Sequence, residues 1–267
     1  YLHTDAQGQI DLDELAKSIS ADTTLIALMW VNNETGLIHP VSEIARIAGE
    51  QGVKFHCDGV QALGHIPLQL DTIGVDSLAL SGHKIGTPAG IGVLFLRSGT
   101  TLQGISFGGG QENNLRAGTQ NTLGAKSFAW ASEIILEKYA ESQQHYESLI
   151  QHLQVRLRSI PGIQINRGQA SYSSHILNCS FHHVDGEALF IRLDMAKIAV
   201  SNGSACSSGS QAPSHVLTAM GLEDTLAQAS LRISLGLQTT KAEIDHFCDE
   251  LGMIIYSIQR DPDGIQI

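Results

Sequence analysis

The sequence has no long hydrophobic stretch. Its longest unbroken apolar run, Leu25 to Val31, is seven residues. A membrane-spanning helix needs about 20, so an integral helical membrane protein is excluded and no membrane partner is expected. Charge is also scarce. Asp, Glu, Lys and Arg make up 16% of the 267 residues, against roughly 25% in an average soluble domain, while hydrophobic residues reach 42%. A chain this apolar is not disordered. Positive charge is the scarcer sign: Lys plus Arg is 16 and Asp plus Glu is 27, a net charge of −11. That balance opposes nucleic acid and anionic lipid as partners. The 12 His residues cancel most of it if protonated, so the sign holds at neutral pH and not in acid.

Cysteine is sparse. Cys57, Cys179, Cys206 and Cys248 are the four, and no C-x-x-C pair exists among them. The usual redox and zinc spacings are therefore missing. Four cysteines in a chain this long do not make a disulfide scaffold, and they point to a reducing, cytoplasmic compartment. No signal peptide is visible, and the chain opens Tyr1-Leu2-His3 without Met, as expected of a fragment or a processed product. There is no Walker A pattern, and Gly90-Ile91-Gly92 is followed by Phe95 where a third glycine is needed for G-x-G-x-x-G.

What is present alternates. Leu25–Val31, Val53–Cys57, Ser77–Leu80 and Gly92–Leu96 read as short strands. Asp11–Ile19 reads as a helix with Asp11 and Glu14 in capping-box spacing. A second helix opens at Pro40 and closes at Gly52. This order predicts an α/β sheet, mostly parallel. From Thr122 to Ser159 the apolar residues recur at helical spacing, as one long helix or two in series, stopped by Pro161-Gly162. A smaller α+β part follows: a strand at Ile176–Val184, a helix at Gly186–Met195, a Ser/Gly-rich loop at Ser201–Ser210, a strand at Leu231–Leu235 and a terminal helix at Lys241–Gln259. The expected domains are 1–140 and 141–267.

Polar clusters sit at the C-terminal ends of the expected strands, the edge where open α/β sheets bind ligands. They are Asn32-Asn33-Glu34-Thr35-Gly36, Asp58-Gly59-Val60-Gln61 and Ser81-Gly82-His83-Lys84. A fourth cluster is the loop around Cys206. Each has an ordinary reading: a turn, a turn acid, a surface lysine, a small buried thiol. Cys206, however, is flanked by Gly, Ser and Ala, which suits an exposed thiol better than a core one. Together the clusters supply what pyridoxal phosphate needs: a lysine for the Schiff base, an acid for the pyridine nitrogen, and hydroxyl or imidazole donors for the phosphate.

Val31-Asn32-Asn33-Glu34-Thr35-Gly36, His56-Cys57-Asp58-Gly59-Val60-Gln61, Ser81-Gly82-His83-Lys84, Gly108-Gly109-Gly110-Gln111-Glu112, Arg116-Ala117-Gly118-Thr119, Gly203-Ser204-Ala205-Cys206 and Leu231-Arg232-Ile233-Ser234-Leu235-Gly236 occur in this order. The set closely resembles the cysteine desulfurases of the iron–sulfur and nitrogen-fixation type, in the class V aminotransferase branch of fold-type I pyridoxal-phosphate enzymes. The resemblance runs from about residue 1 to residue 260.

It implies conversion of L-cysteine to L-alanine, with the sulfur left as a persulfide on Cys206 and passed to an acceptor or scaffold protein. Lys84 would carry the cofactor and shuttle the proton at the substrate α-carbon. Asp58 would pair with the pyridine nitrogen, and Gln61 would bond the phenolic oxygen. Ser81 and His83 would hold the phosphate, with His83 counted beside Lys84 and Cys206 as catalytic. Arg232, with Asn33, would bind the substrate carboxylate, and Asn33 would also contact the cofactor. Thr119 would reach the phosphate of a neighbouring subunit in a homodimer. Selenocysteine lyase and aminotransferase are the alternatives on the same fold; an incomplete chain acting as an interaction module is the alternative outside it. Relatives also carry an N-terminal third, with a phosphate-cradling loop, that has no counterpart here. The expectation is weak, reversible cofactor loading by these 267 residues alone.

Overall fold

The computed structural model describes residues 1–202 and 212–260, so Cys206 lies outside the described residues. In chain order the elements are α1 (Leu12–Ser18), β1 (Leu25–Met29), α2 (Val41–Glu50), β2 (Lys54–Asp58), β3 (Ser77–Ser81), β4 (Gly92–Leu96) and α3 (Thr122–Glu137). Then come α4 (Tyr139–Arg158), β5 (Ile163–Ile165), β6 (Ile176–Phe181), α5 (Gly186–Met195), β7 (Ser201–Asn202), α6 (His215–Ala219), α7 (Asp224–Gln228), β8 (Ser230–Ser234) and α8 (Lys241–Arg260). Two compact units form. One holds Ala16–Trp30 and Pro40–Tyr139; the other holds Tyr1–Leu15, Val31–His39 and the chain from Ala140 onward.

The first unit is built on a sheet of order β1-β2-β3-β4. β1, β2 and β3 run parallel, with Met29 opposite Asp58 and Asp58 opposite Ala79. The β1-to-β2 crossover is α2. Its Ile44, Ala45, Ile47 and Ala48, spaced at three and four residues, form the buried face. Pro40 stands at the N-cap of α2, and Gly52 takes φ +71° just past its end. Phe55, Cys57 and Leu78 of the sheet are fully enclosed. The connection from β3 to β4, residues 82–91, is too short for the helical crossover that a parallel neighbour needs, and β4 pairs antiparallel to β3. The sheet is thus mixed and mostly parallel.

The second unit carries an antiparallel sheet, β5-β6-β8-β7. All six residues of β6 are buried. α4, α5 and α8 contribute Leu153, Leu157, Leu189, Leu193, Leu251 and Ile255 to the core cluster that includes Leu177 and Leu231 of the sheet. β6 stops at Phe181, short of the expected Val184. His183 takes φ +59°, and the Asp185 carboxylate accepts from Ala188 N at 2.9 Å, capping α5.

The Val31–His39 turn belongs to this second unit for identifiable reasons. Leu37 bridges Tyr172, Ser173 N donates to Gly36 O at 2.8 Å, and Asn178 Nδ2 donates to Glu34 O at 3.3 Å. The expected long helix is two in series, α3 and α4, separated at Lys138. Among the described residues no helix is long and apolar enough to cross a membrane.

Candidate active site

In the first unit, Asp58 is the last residue of β2 and Ser81 the last of β3. The two strands are parallel neighbours, so both side chains are delivered at the same sheet edge. Asp58 is exposed, and its Oδ1 accepts from Val60 N at 2.9 Å, which turns the chain sharply toward Gln61. Gly59 sits where a Cβ would lie 2.7 Å from Leu78 Cδ1, so no larger residue fits beneath this turn.

A 3-10 turn over Gly82–Ile85 follows Ser81 and carries His83 and Lys84, both exposed. Gly86 closes it at φ +86°. The Ser81 hydroxyl and His83 Nδ1 are 2.7 Å apart. Gly82 N donates to Ile91 O at 3.0 Å, and Thr87 N donates to Gly82 O at 3.2 Å. A Cβ on Gly82 would stand 2.3 Å from Thr87 Oγ1 and 2.6 Å from Ile91 Cγ2. This glycine is what lets the chain turn back tightly enough to present the lysine. Behind the turn, burial and the Lys84 cation push the His65 imidazole down to about 4. His65 is therefore neutral at pH 7.

Thr119 is exposed in the segment between Arg116 and α3. Arg116 bridges Ser106, and Gln111 Oε1 accepts from Gly118 N at 3.1 Å, folding the glycine-rich stretch back on itself. Glu112, Asn113 and Asn114 all take left-handed backbone, at φ 49°, 53° and 66°. None of the described contacts ties Thr119 to the strand-end group.

In the second unit, Asn33 and Arg232 come together. Arg232 lies on β8; its Nη1 donates to the Asn33 carbonyl at 3.2 Å and its Nη2 to Ser201 Oγ at 3.0 Å. Its Nε is buried with no hydrogen-bond partner among the described residues. The turn below is rigid: Asn32 Oδ1 accepts from Glu34 N at 2.9 Å and Thr35 N at 3.0 Å. Gly36, at φ +78°, passes against Ile176, where a Cβ would meet Ile176 Cβ at 3.1 Å. Glu34 is buried, and its Oε2 accepts from Ser214 Oγ at 2.5 Å. Burial pushes the Glu34 carboxyl up, while the Ser214 hydrogen bond and the charges of His215 and Arg232 pull it down. Neither Glu34 nor Ser214 was a sequence candidate, although Glu34 lies inside a quoted motif and Ser214 occupies a recognisable N-cap position.

The three described cysteines are free and buried. Burial, aided by the Asp58 charge, pushes the Cys57 thiol up to about 12. Burial pushes Cys248 up to about 11 and raises Cys179 as well. None offers a thiolate at neutral pH. Cys206 lies outside the described residues.

The first unit thus presents an acid, a hydroxyl–imidazole pair and a lysine at the parallel strand ends of a mixed, mostly parallel sheet. Residues 1–247 match the family described as aminotransferase class-V, and the chain belongs to that family. It is 40% identical over 260 residues to the cysteine desulfurase IscS of Dictyoglomus turgidum, covering 97% of this chain and 66% of that protein. To cysteine desulfurase 2 of Trichormus variabilis it is 42% identical over 246 residues, covering 92% and 62% respectively. The solved NifS-like protein of Rickettsia africae superposes with a TM-score of 0.88 at 30% identity, over 96% of this chain and 69% of that one. The chain thus spans slightly less than two thirds of the length of the two curated relatives.

Proposed function

We propose that this chain carries catalytic machinery of a pyridoxal-phosphate-dependent cysteine desulfurase, releasing L-alanine from L-cysteine and leaving the sulfur on Cys206. The observation that carries the reading is the strand-end group: Asp58 at the end of β2, the Ser81–His83 pair 2.7 Å apart at the end of β3, and Lys84 one residue on. That donor set fits the cofactor's three handles: a carboxylate for a protonated ring nitrogen, a hydroxyl and an imidazole for a phosphate, an amine for the aldehyde carbon. When bound, pyridoxal phosphate supplies an electron sink for charge developing on the substrate carbons.

The chain's own residues do the rest. Lys84 would hold the cofactor through its amine and would move the proton at the substrate α-carbon. Asp58 would face the ring nitrogen and favour its protonated form, and Gln61 would bond the phenolic oxygen. Arg232, with its buried Nε unpartnered, receives the substrate carboxylate beside Asn33. Cys206 attacks the substrate sulfur as a thiolate: an S–S bond forms, the substrate C–S bond breaks, and its electron pair stays on carbon, which is protonated to alanine. The products are L-alanine and a Cys206 persulfide, and no external reductant is consumed. An acceptor thiol or scaffold protein then takes the outer sulfur, in support of iron–sulfur or thio-cofactor assembly. A homodimer in which Thr119 serves the neighbouring subunit's phosphate completes the proposal.

The test is spectroscopic first. Incubated with pyridoxal phosphate, the full-length protein should gain a visible absorption band that borohydride removes, with the label on Lys84 by peptide mass. L-cysteine should then yield alanine and a mass increment of one sulfur on Cys206. A label on any other lysine, or alanine without the increment, overturns the assignment.

A further inference from the structure

Glu34 is only 4% exposed and Ser214 only 2%, and their side chains meet at 2.5 Å. A carboxyl is not enclosed this completely unless something compensates its lost hydration. Among the described residues the Glu34 side chain is hydrogen-bonded to one hydroxyl, which has a second duty, and the charges of His215 and Arg232 add to that bond. Ser214 is the N-cap of α6: its Oγ accepts from Leu217 N at 3.2 Å. In sequence Ser214 stands eight positions after Cys206 and is the first buried residue among the described ones that follow it. On the other side, Glu34 belongs to the turn held by Asn32 Oδ1, and the neighbouring Asn33 carbonyl anchors Arg232 Nη1 at 3.2 Å. Asn178 Nδ2, from the fully buried β6, grips the Glu34 carbonyl at 3.3 Å. The Glu34 side chain therefore joins the turn whose Asn33 carbonyl anchors Arg232 to the cap residue of α6, eight positions after Cys206 in sequence.

We propose that Glu34 is a positioning residue for sulfur transfer, fixing α6 and its cap Ser214 to the turn that carries Asn33 and supports Arg232. This rests on the desulfurase reading. Glu34 acts through Ser214, fixing α6 relative to the turn that anchors Arg232. Its effect belongs mainly on the transfer step, because the Arg232 bonds to Asn33 O and Ser201 Oγ do not involve the Glu34 side chain, and the Arg232 charge is the smallest of the influences on that carboxyl.

The experiment compares wild type, Glu34→Ala, Glu34→Gln, Ser214→Ala and the Glu34→Ala/Ser214→Ala double variant in the full-length, cofactor-loaded protein. Single-turnover persulfide formation on Cys206 and the KM for L-cysteine are read together. A lost hydrogen bond to a charged group is worth about tenfold or more in rate. Glu34→Ala should therefore slow persulfide formation by at least about tenfold, with KM changed by less than about threefold. Glu34→Gln should recover most of the rate, since its amide oxygen still accepts from the Ser214 hydroxyl. The double variant should be no slower than the slower single variant.

Independently of activity, amide hydrogen exchange at Leu217 and Thr218 should quicken in Glu34→Ala and not in Glu34→Gln. A rate within twofold of wild type in Glu34→Ala, a KM that rises as much as the rate falls, or additive losses in the double variant overturns the positioning role. Wild-type protein that forms no persulfide on Cys206 overturns the desulfurase reading and the transfer role with it, while the exchange data still decide whether Glu34 tethers α6.

Discussion

Arg232 Nη1 donates to the Asn33 carbonyl oxygen at 3.2 Å, while its buried Nε finds no acceptor among the described residues. A buried guanidinium N–H without a partner is costly, and a carboxylate brought by a ligand relieves the cost. Nη2 is already spent on Ser201 Oγ at 3.0 Å, so the fork is fixed in orientation before any ligand arrives. Arg232→Lys keeps a charge and loses that geometry. The expected outcome is a KM for L-cysteine raised about 10- to 100-fold, the worth of one or two charge-assisted hydrogen bonds. Steady-state kinetics check it, with kcat at saturation falling much less. An unchanged KM removes Arg232 from the substrate site.

Cys57, Cys179 and Cys248 are buried, and burial holds each thiol in its protonated form at neutral pH. Replacing any of them with Ala should leave sulfur transfer intact, at a cost in stability alone. Cys206→Ser should leave the cofactor spectrum unchanged and abolish persulfide formation, because a serine hydroxyl is almost never ionised at pH 7. Alkylation of the protein after one turnover, followed by peptide mass analysis, distinguishes the four positions. A persulfide found on Cys57, Cys179 or Cys248 contradicts the assignment.

Gly82 is required by space rather than by flexibility. The positions 2.3 Å from Thr87 Oγ1 and 2.6 Å from Ile91 Cγ2 leave no room for a methyl group. Gly82→Ala should destabilise the first unit by about 1–3 kcal/mol, the usual cost of overpacking. It should also weaken cofactor loading, because the 3-10 turn that presents His83 and Lys84 starts at this residue. Urea denaturation followed beside cofactor absorbance separates the two effects. A Gly82→Ala protein with wild-type stability and wild-type absorbance refutes the claim.

These relationships were legible to different depths in the sequence. The strand ends bearing Asp58 and Ser81 were readable because Val53–Cys57 and Ser77–Leu80 read as short strands, each followed at once by a polar residue. The antiparallel return of β4 was not, since a strand's direction depends on the connection, and the Gly82–Ile85 turn carries no periodic signal. β5 is three residues long and β7 two, too short for any alternation to register. Asn33 and Arg232 could be named as a pair only through resemblance. Their meeting spans 199 positions and is set by β8 pairing with β6 and by the buried Asn32 turn. Glu34 was missed because burial, not residue type, is what distinguishes it from an ordinary turn acid.

The last prediction concerns acid. Burial pushes His39 down to about 4, and burial with the Lys84 charge does the same to His65. Both are neutral in the folded protein and titrate near 6.5 once unfolded. Between those values the unfolded chain binds more protons than the folded one, so stability falls as pH drops from about 6.5 toward 4 and is fully present above that window. Each histidine contributes at most about 3 kcal/mol to this loss. His39 lies in the second unit and His65 in the first, so acid should weaken both. Thermal unfolding measured across this range should show a falling midpoint, and His39→Gln and His65→Gln should each flatten the slope. Lys84→Ala should raise the His65 value seen by NMR titration, yet leave it below 6.5, because burial is the larger cause. A His65 that titrates normally in the wild-type protein contradicts the burial of this imidazole behind the lysine turn.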